Sequence, residues 1–300
     1  MICREMNTEL KKAGKITKNA LRLSKRLVNP EVSLLEIADT VEQYIMDHGG
    51  YPAFPVNISI NDVAAHYTPD VNDKNIIQEG DVVKIDLGTH INGWIVDAAI
   101  TIEVNDNKYK ELINASKDAL DSVKKILKKG VYISEIGKVI EEVITNYGFK
   151  PIYNLSGHKI NRYILHAGMN IPNYNNGSLI PILEGIYAIE PFATNGVGYV
   201  KDGSASTIYI LQRNTGIRIP SLKKFVDNIF KRYKTLPFSR RWLYRDFNEK
   251  YNIDLYINLL KKNNILYEYP ILVEKSKGIV SQWETTFHIN GGVHDLLSID

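Results

Sequence analysis

VVKIDLGTHINGWIVDAAITIEV, residues 82–104, has the rhythm of two β-strands, yet each apolar run carries an aspartate, Asp86 in the first and Asp97 in the second. An unpaired carboxylate among buried β-branched side chains costs several kcal/mol or surrenders its charge. Asn92-Gly93 between the runs is a strong turn signal, so the stretch reads as a β-hairpin. Pairing Asp86 with Asp97, Leu87 with Val96 and Gly88 with Ile95 centres the turn near Ile91-Asn92. Opposed residues of an antiparallel pair share a face with Cβ atoms about 5 Å apart, so these two anions would repel. No Lys or Arg lies between them, which leaves a metal ion as the strongest source of the missing positive charge. A rim-exposed pair, or one turn-capping and one solvated aspartate, is the plainer alternative that the hairpin alone leaves open.

Working outward, 300 residues of which 44% are hydrophobic and 24% charged is the composition of a globular protein with core for one large domain or two. The single cysteine, Cys3, excludes an internal disulfide framework; it reads as a spare thiol near the terminus and fits a reducing compartment. No apolar run approaches eighteen residues, so no membrane-spanning helix is expected. The first thirty residues lack a signal-peptide core. Ala13, Ile16, Ala20, Leu23 and Leu27 instead mark a surface helix with a basic outer face, ending before Asn29-Pro30. Glu5 and Glu9 argue against a mitochondrial presequence, so the cytoplasm is the expected location.

The net charge of +3 conceals an asymmetry. Residues 213–262 hold thirteen Lys/Arg against four Asp/Glu, a surplus of nine, which leaves the rest of the chain at −6. SLKKFVDNIFKRYKT, SRRWLYRDFNEKY and DLYINLLKK within this segment are helical patterns separated by Leu236-Pro237 and Asn252-Ile253. We read it as a helical insertion, 211–270, in a mixed α/β body formed by 1–210 and 271–300. Its positive face is either simply solvated or a surface for ribosomal RNA, with Arg240, Arg241 and Arg245 as the candidate contacts.

The chain also echoes itself. VSLLEIADTVEQYIMDHGGYP (32–52) and VYISEIGKVIEEVITNYGFKP (131–151) share seven identities at a constant offset of 99, among them Glu42/Glu141, Gly49/Gly148 and Pro52/Pro151. Each copy is an amphipathic helix stopped by glycine and followed by Pro and a strand. Downstream, His66 and His166 follow the two prolines at nearly equal distance, and Glu79-Gly80 leads to Asp86 as Glu184-Gly185 leads to Glu190. Two related halves would therefore each deliver a histidine and an acid to one central cleft. GHKINRYILHAG (157–168) adds His158 eight residues before His166, a spacing that keeps both on one face of a strand. Glu190 in YAIEPF and Glu284 in VSQWETTFHI are further acids inside apolar strand patterns. His48, His90, His288 and His294 lack such company and read as structural.

With these residues in view, PAFPVNISINDVAAHYTP, KIDLGTHINGWIVDAA, GHKINRYILHAGMNIPNY, AIEPFAT and WETT closely resemble type 2 methionine aminopeptidases, especially archaeal ones. The resemblance covers nearly the whole chain. It implies the α+β pita-bread fold of the creatinase/aminopeptidase kind, two pseudo-symmetric halves around a central antiparallel sheet, with a winged-helix-like insertion at 211–270. It implies two divalent ions (Co, Mn, Fe or Zn) held by Asp86, Asp97, His158, Glu190 and Glu284. It further implies that His66 and His166 flank the substrate, and that Phe54, Leu165, Phe192 and Tyr269 form the methionine pocket. Glu190 would serve as proton carrier, and His66 would be the site modified by epoxides of the fumagillin type. The expected activity is removal of the N-terminal methionine from nascent chains that have a small second residue, carried out by a monomer. The alternatives are an Xaa-Pro peptidase with the same ligand set, or a non-catalytic relative that binds RNA or ribosomes.

Overall fold

The computed structural model of the protein describes residues 2–298, with side chains from residue 6 onwards. Cys3 therefore lies outside the side chains described. The first half comprises helices α1 (Ile2–Leu27) and α2 (Leu34–Asp47), the short strands β1 (Tyr51–Pro52), β2 (Asn57–Ile60) and β3 (Val63–Ala65), and a long hairpin of β4 (Val82–Ile91) and β5 (Trp94–Glu103). The second half repeats the scheme with α3 (Lys110–Ile126), α4 (Ile133–Asn146), β6 (Lys150–Pro151), β7 (Ser156–Ile160), β8 (Asn170–Pro172), β9 (Gly185–Ile189) and β10 (Phe192–Thr194). It is completed after the insertion by β14 (Val280–Gln282), β15 (Thr285–Ile289) and β16 (Val293–Asp295).

The internal repeat is visible residue for residue. Both α2 and α4 run for 14 residues, and both end at a glycine with positive φ, Gly49 at 77° and Gly148 at 82°. These glycines supply the left-handed conformation that stops a helix without a Cβ clash. Each half has its own core. Leu34, Ile37, Val41 and Ile45 of α2 pack with Ile85 and Leu87 of β4; Ile133, Ile136, Ile140 and Ile144 of α4 belong with Tyr187, Ile189 and Phe287.

In the hairpin the structure corrects the expected register. Gly88 pairs with Asp97, Asp86 with Ala99 and Ile91 with Trp94, so the turn consists of Asn92-Gly93 alone. Both turn residues have positive φ, 49° and 87°, as a two-residue turn of matching twist demands. The expected register differs by two residues. Because side chains alternate with period two, that shift leaves Asp86 and Asp97 on one face but makes them diagonal neighbours instead of direct opposites.

The halves meet along β5 and β15. Ala99 and Glu284 exchange backbone hydrogen bonds, and the Thr286 hydroxyl accepts from Asp97 N and donates to Asp97 O, each at 2.8 Å. Fully buried Lys84 on β4 adds a second tie, donating from Nζ to the carbonyls of Asn61 (3.0 Å) and Val280 (2.9 Å). Burial pushes this lysine down to about 7.

Between the halves, β11 (Val200–Leu211) runs out to α5 (Pro220–Tyr233), β12 (Phe238–Ser239), α6 (Arg240–Phe247) and α7 (Ile253–Lys262), and β13 (Leu266–Glu274) returns beside it. The helices close on a core of Phe225, Ile229, Trp242, Leu243, Ile257 and Leu260. Because β11 and β13 pair along their length, the expected boundary at 270/271 falls inside β13. The structure also pairs all three arginines singled out as RNA contacts. Arg241 is buried against Glu42 and Asp39, Arg240 pairs with Asp70 and Asp254, and Arg245 pairs with Asp246. Lys224, Lys231, Lys250 and Lys262 remain exposed.

Candidate active site

The hairpin aims Asp86 and Asp97 toward the seam, and the second half answers with three more groups. His158 sits at the centre of β7, paired with Ala188 of β9; Glu190 follows β9 directly; Glu284 lies between β14 and β15, opposite Ala99. Asp97, His158 and Glu284 are 3–4% exposed. Nε2 of His158 is 3.6 Å from Asp97 Oδ2 and 3.6 Å from Glu190 Oε1.

This crowding has an electrostatic signature. Burial pushes the Asp86 carboxyl up to about 7, while the Gln282 amide holds it back. Asp97, Glu190 and Glu284 are likewise raised well above the usual carboxylate range, first by burial and then by the charges of the neighbouring carboxylates. His158 is pushed down to about 3 and His166 to about 4, chiefly by burial, so both imidazoles are neutral near pH 7. Among the described residues, no lysine or arginine lines the cavity.

These residues fit divalent cations. Ligand atoms of Asp97, His158 and Glu284 all lie within 4.8 Å of one another. Two atoms each about 2.0–2.2 Å from one ion cannot be more than about 4.4 Å apart, so the two 3.6 Å separations need no rearrangement. Asp86 Oδ1, Asp97 Oδ1 and Glu284 Oε1 are buried oxygens with no hydrogen-bond partner among the described residues, the condition a cation would relieve. Four carboxylates with one imidazole form a hard, oxygen-rich set suited to Mn, Fe(II) or Co(II) more than to a structural zinc cage.

The remaining expected residues face the same cavity, of about 220 Å³. Phe54, Leu165, Phe192 and Tyr269 line its apolar side, and His66 and His166 flank it. His66 occupies a left-handed backbone position, φ 66°, and its Nδ1 lies 3.1 Å from Pro270 O. The carbonyl can only accept, so Nδ1 carries the proton and Nε2 keeps its lone pair. The ring stands edge-on to Tyr269 with centroids 5.4 Å apart.

His166 reaches the site by a route that the eight-residue spacing does not describe. Strand β7 ends at Ile160; the chain then turns through Tyr163 (φ 57°), and Ala167 N bonds back to Lys159 O. The turn brings the His166 ring within 4.3 Å of the His158 ring. Some cavity residues carried no signal in the sequence: Ile208 and Leu272 on β11 and β13, Pro237 beyond α5, and Asn57 beside Asp86. Gln282, whose amide donates to Glu284 Oε2 at 3.2 Å, was legible only as a polar residue two positions before an acid.

Comparison with known proteins bears on this arrangement. Residues 8–222 match the metallopeptidase family M24. The chain is 45% identical over 289 residues to a methionine aminopeptidase of Archaeoglobus fulgidus, covering 96% of this chain and 97% of that one. It is 47% identical to that of Methanocaldococcus jannaschii, covering 92% and 93%. Among solved structures, a thermophilic Arx1 superposes with a TM-score of 0.83 over 97% of this chain and 90% of its own, at 19% identity, which shows a shared fold.

Proposed function

This chain belongs to metallopeptidase family M24, and from that premise we propose that it is a type 2 methionine aminopeptidase that removes the first methionine from new polypeptides. One observation carries the reading: buried acids from both halves converge with His158 at the floor of an apolar cavity flanked by two neutral imidazoles. The helical insertion supports the type 2 assignment. In this reading Asp86, Asp97, His158, Glu190 and Glu284 hold two ions among Co, Mn, Fe and Zn. When bound, such ions supply a Lewis acid and a water acidic enough to yield hydroxide near neutral pH.

The chain's own residues do the rest. Phe54, Leu165, Phe192 and Tyr269 receive the flexible thioether side chain, which adapts to an irregular apolar pocket. His66, held by Pro270 through Nδ1, presents Nε2 as an acceptor for the scissile amide N–H. His166 offers an N–H to the carbonyl oxygen where negative charge develops. Glu190 takes the proton given up by the attacking water and passes it to the leaving amine.

All five proposed ligands come from one chain, so a monomer suffices. Nascent N-termini place its work in the cytoplasm. The exposed lysines of the insertion give it a salt-sensitive attraction to ribosomal RNA. The test is substrate choice by metal-reconstituted enzyme. Met-Ala and Met-Gly peptides should be cleaved, with little release from Leu-, Lys- or Xaa-Pro-starting ones. Equal rates on an Xaa-Pro dipeptide would return the site to the Xaa-Pro reading, and no peptide hydrolysis at all would favour a non-catalytic binding protein.

A further inference from the structure

The catalytic cavity does not end at its rim. Leu165, His166, Pro237 and Tyr269 line it on one side and on the other line a second cavity of about 340 Å³, completed by Ile164, Ile210, Gln212, Thr235 and Tyr267. Four shared lining residues make the two spaces neighbours. The outer one opens to solvent past Ile164 and Tyr267, which are 44% and 46% exposed. Large apolar side chains left open beside a catalytic cavity call for an occupant.

A polypeptide bound by its first residue must leave the inner cavity through a neighbouring space. With methionine in the inner cavity and the scissile bond beside His66 and His166, an extended chain advances about 3.3–3.6 Å per residue. The second residue then lies between the shared walls, and the third and fourth reach the outer compartment. No Asp, Glu, Lys or Arg is among the nine residues lining it, and its one histidine, His166, is shared with the inner cavity. Its surface is two isoleucines, a leucine, a proline and two tyrosines, with Gln212 and Thr235 as the polar members.

We propose that this outer compartment is a subsite for the third and fourth residues of the substrate, and that it favours uncharged, apolar side chains there. The proposal rests on the aminopeptidase reading above and adds a selection beyond the small second residue. Contacts so far from the reacting atoms are the same in ground and transition states, so the selection belongs in KM, with kcat little changed. Apolar area covered in an open compartment gives roughly a fivefold to tenfold advantage in kcat/KM.

The experiment compares the tripeptide amides Met-Ala-Leu, Met-Ala-Lys and Met-Ala-Glu, with Met-Ala as reference, on metal-reconstituted enzyme. The expected result is a lower KM for the leucine peptide than for both charged ones, at similar kcat. Gln212 is exposed, and Gln212→Glu keeps its shape while adding a negative charge. That variant should improve Met-Ala-Lys several-fold and worsen Met-Ala-Glu. Tyr267→Ser should bring the leucine preference down toward the charged peptides. Cleavage of all three tripeptides at equal kcat/KM overturns the subsite while leaving the aminopeptidase reading intact. Failure to cleave even Met-Ala overturns that reading itself. A Gln212→Glu enzyme that cleaves Met-Ala normally and shows no charge preference places the third residue outside this compartment.

Discussion

Replacing Glu42 by alanine should loosen the attachment of the insertion, at a cost set by the number of groups that depend on that carboxylate. Glu42 lies on α2 and is 1% exposed. Oε2 accepts from Arg241 Nη1 at 2.8 Å and from Trp242 Nε1 at 2.7 Å; Oε1 accepts from Arg241 Nη2 at 2.8 Å and from Val56 N at 3.1 Å. Without it, Arg241 keeps only Asp39 and the Pro69 carbonyl, and two buried N–H groups lose their acceptor. Removing one partner of a buried ion pair costs about 3–5 kcal/mol. In a chain of this size that lowers Tm by roughly 6–10 °C, at about 2 °C per kcal/mol. Arg241→Met alone should cost a similar amount. Glu42→Met/Arg241→Met should recover part of the loss, because no charge is then stranded, although Trp242 Nε1 and Val56 N still lack an acceptor. Thermal and urea unfolding of the wild type, Glu42→Met, Arg241→Met and the double variant close the cycle, with an expected coupling above about 1 kcal/mol. A Glu42→Ala protein within about 1 kcal/mol of wild type, or purely additive single losses, would refute the claim that this pair clamps the insertion to the first half.

Asp97→Ala or Glu284→Ala should abolish metal retention and methionine release while far-UV circular dichroism stays near wild type, since each half keeps its own core; either variant releasing methionine at the wild-type rate would defeat the ligand assignment. The raised carboxyls give a pH dependence of defined sign. A carboxyl whose proton affinity rises on folding adds stability below its ordinary value, 3.8 for Asp86, and loses it as pH climbs to about 7. Metal-free protein should therefore weaken across that window, and bound ions should offset the weakening. The Tm difference with and without chelator should widen between pH 5 and pH 8; a constant difference would sink the idea.

Much of this was legible in the chain. Strand alternation around Asp86 and Asp97, together with the 99-residue echo, announced two halves and a shared cleft, because period-two patterning and glycine-stopped helices are local properties. The hairpin register was read two residues off, since pattern alone fixes which face a side chain takes but not how far the strands slide; the positive φ of Asn92 and Gly93 does that. The route of His166 was not legible, because a turn through Tyr163 replaces the strand that spacing suggested. Arginines 240, 241 and 245 looked like surface charge. The partners of Arg240 and Arg241 in the first half, Asp39, Glu42 and Asp70, lie 170 to 202 residues away in sequence, and no local pattern joins them.

The seam at Ala99 and Glu284 also sets an order of events during synthesis. Glu284 is the last of the proposed ligands to be made, and the whole insertion precedes it in the chain. A polypeptide that has emerged only through the first half, or through both helical layers and the insertion, carries at most four of the five groups and lacks the strand that closes on β5. Activity therefore cannot begin part-way through translation. On the proposed reading, an enzyme that acts on unfinished chains is built so that it cannot act as one.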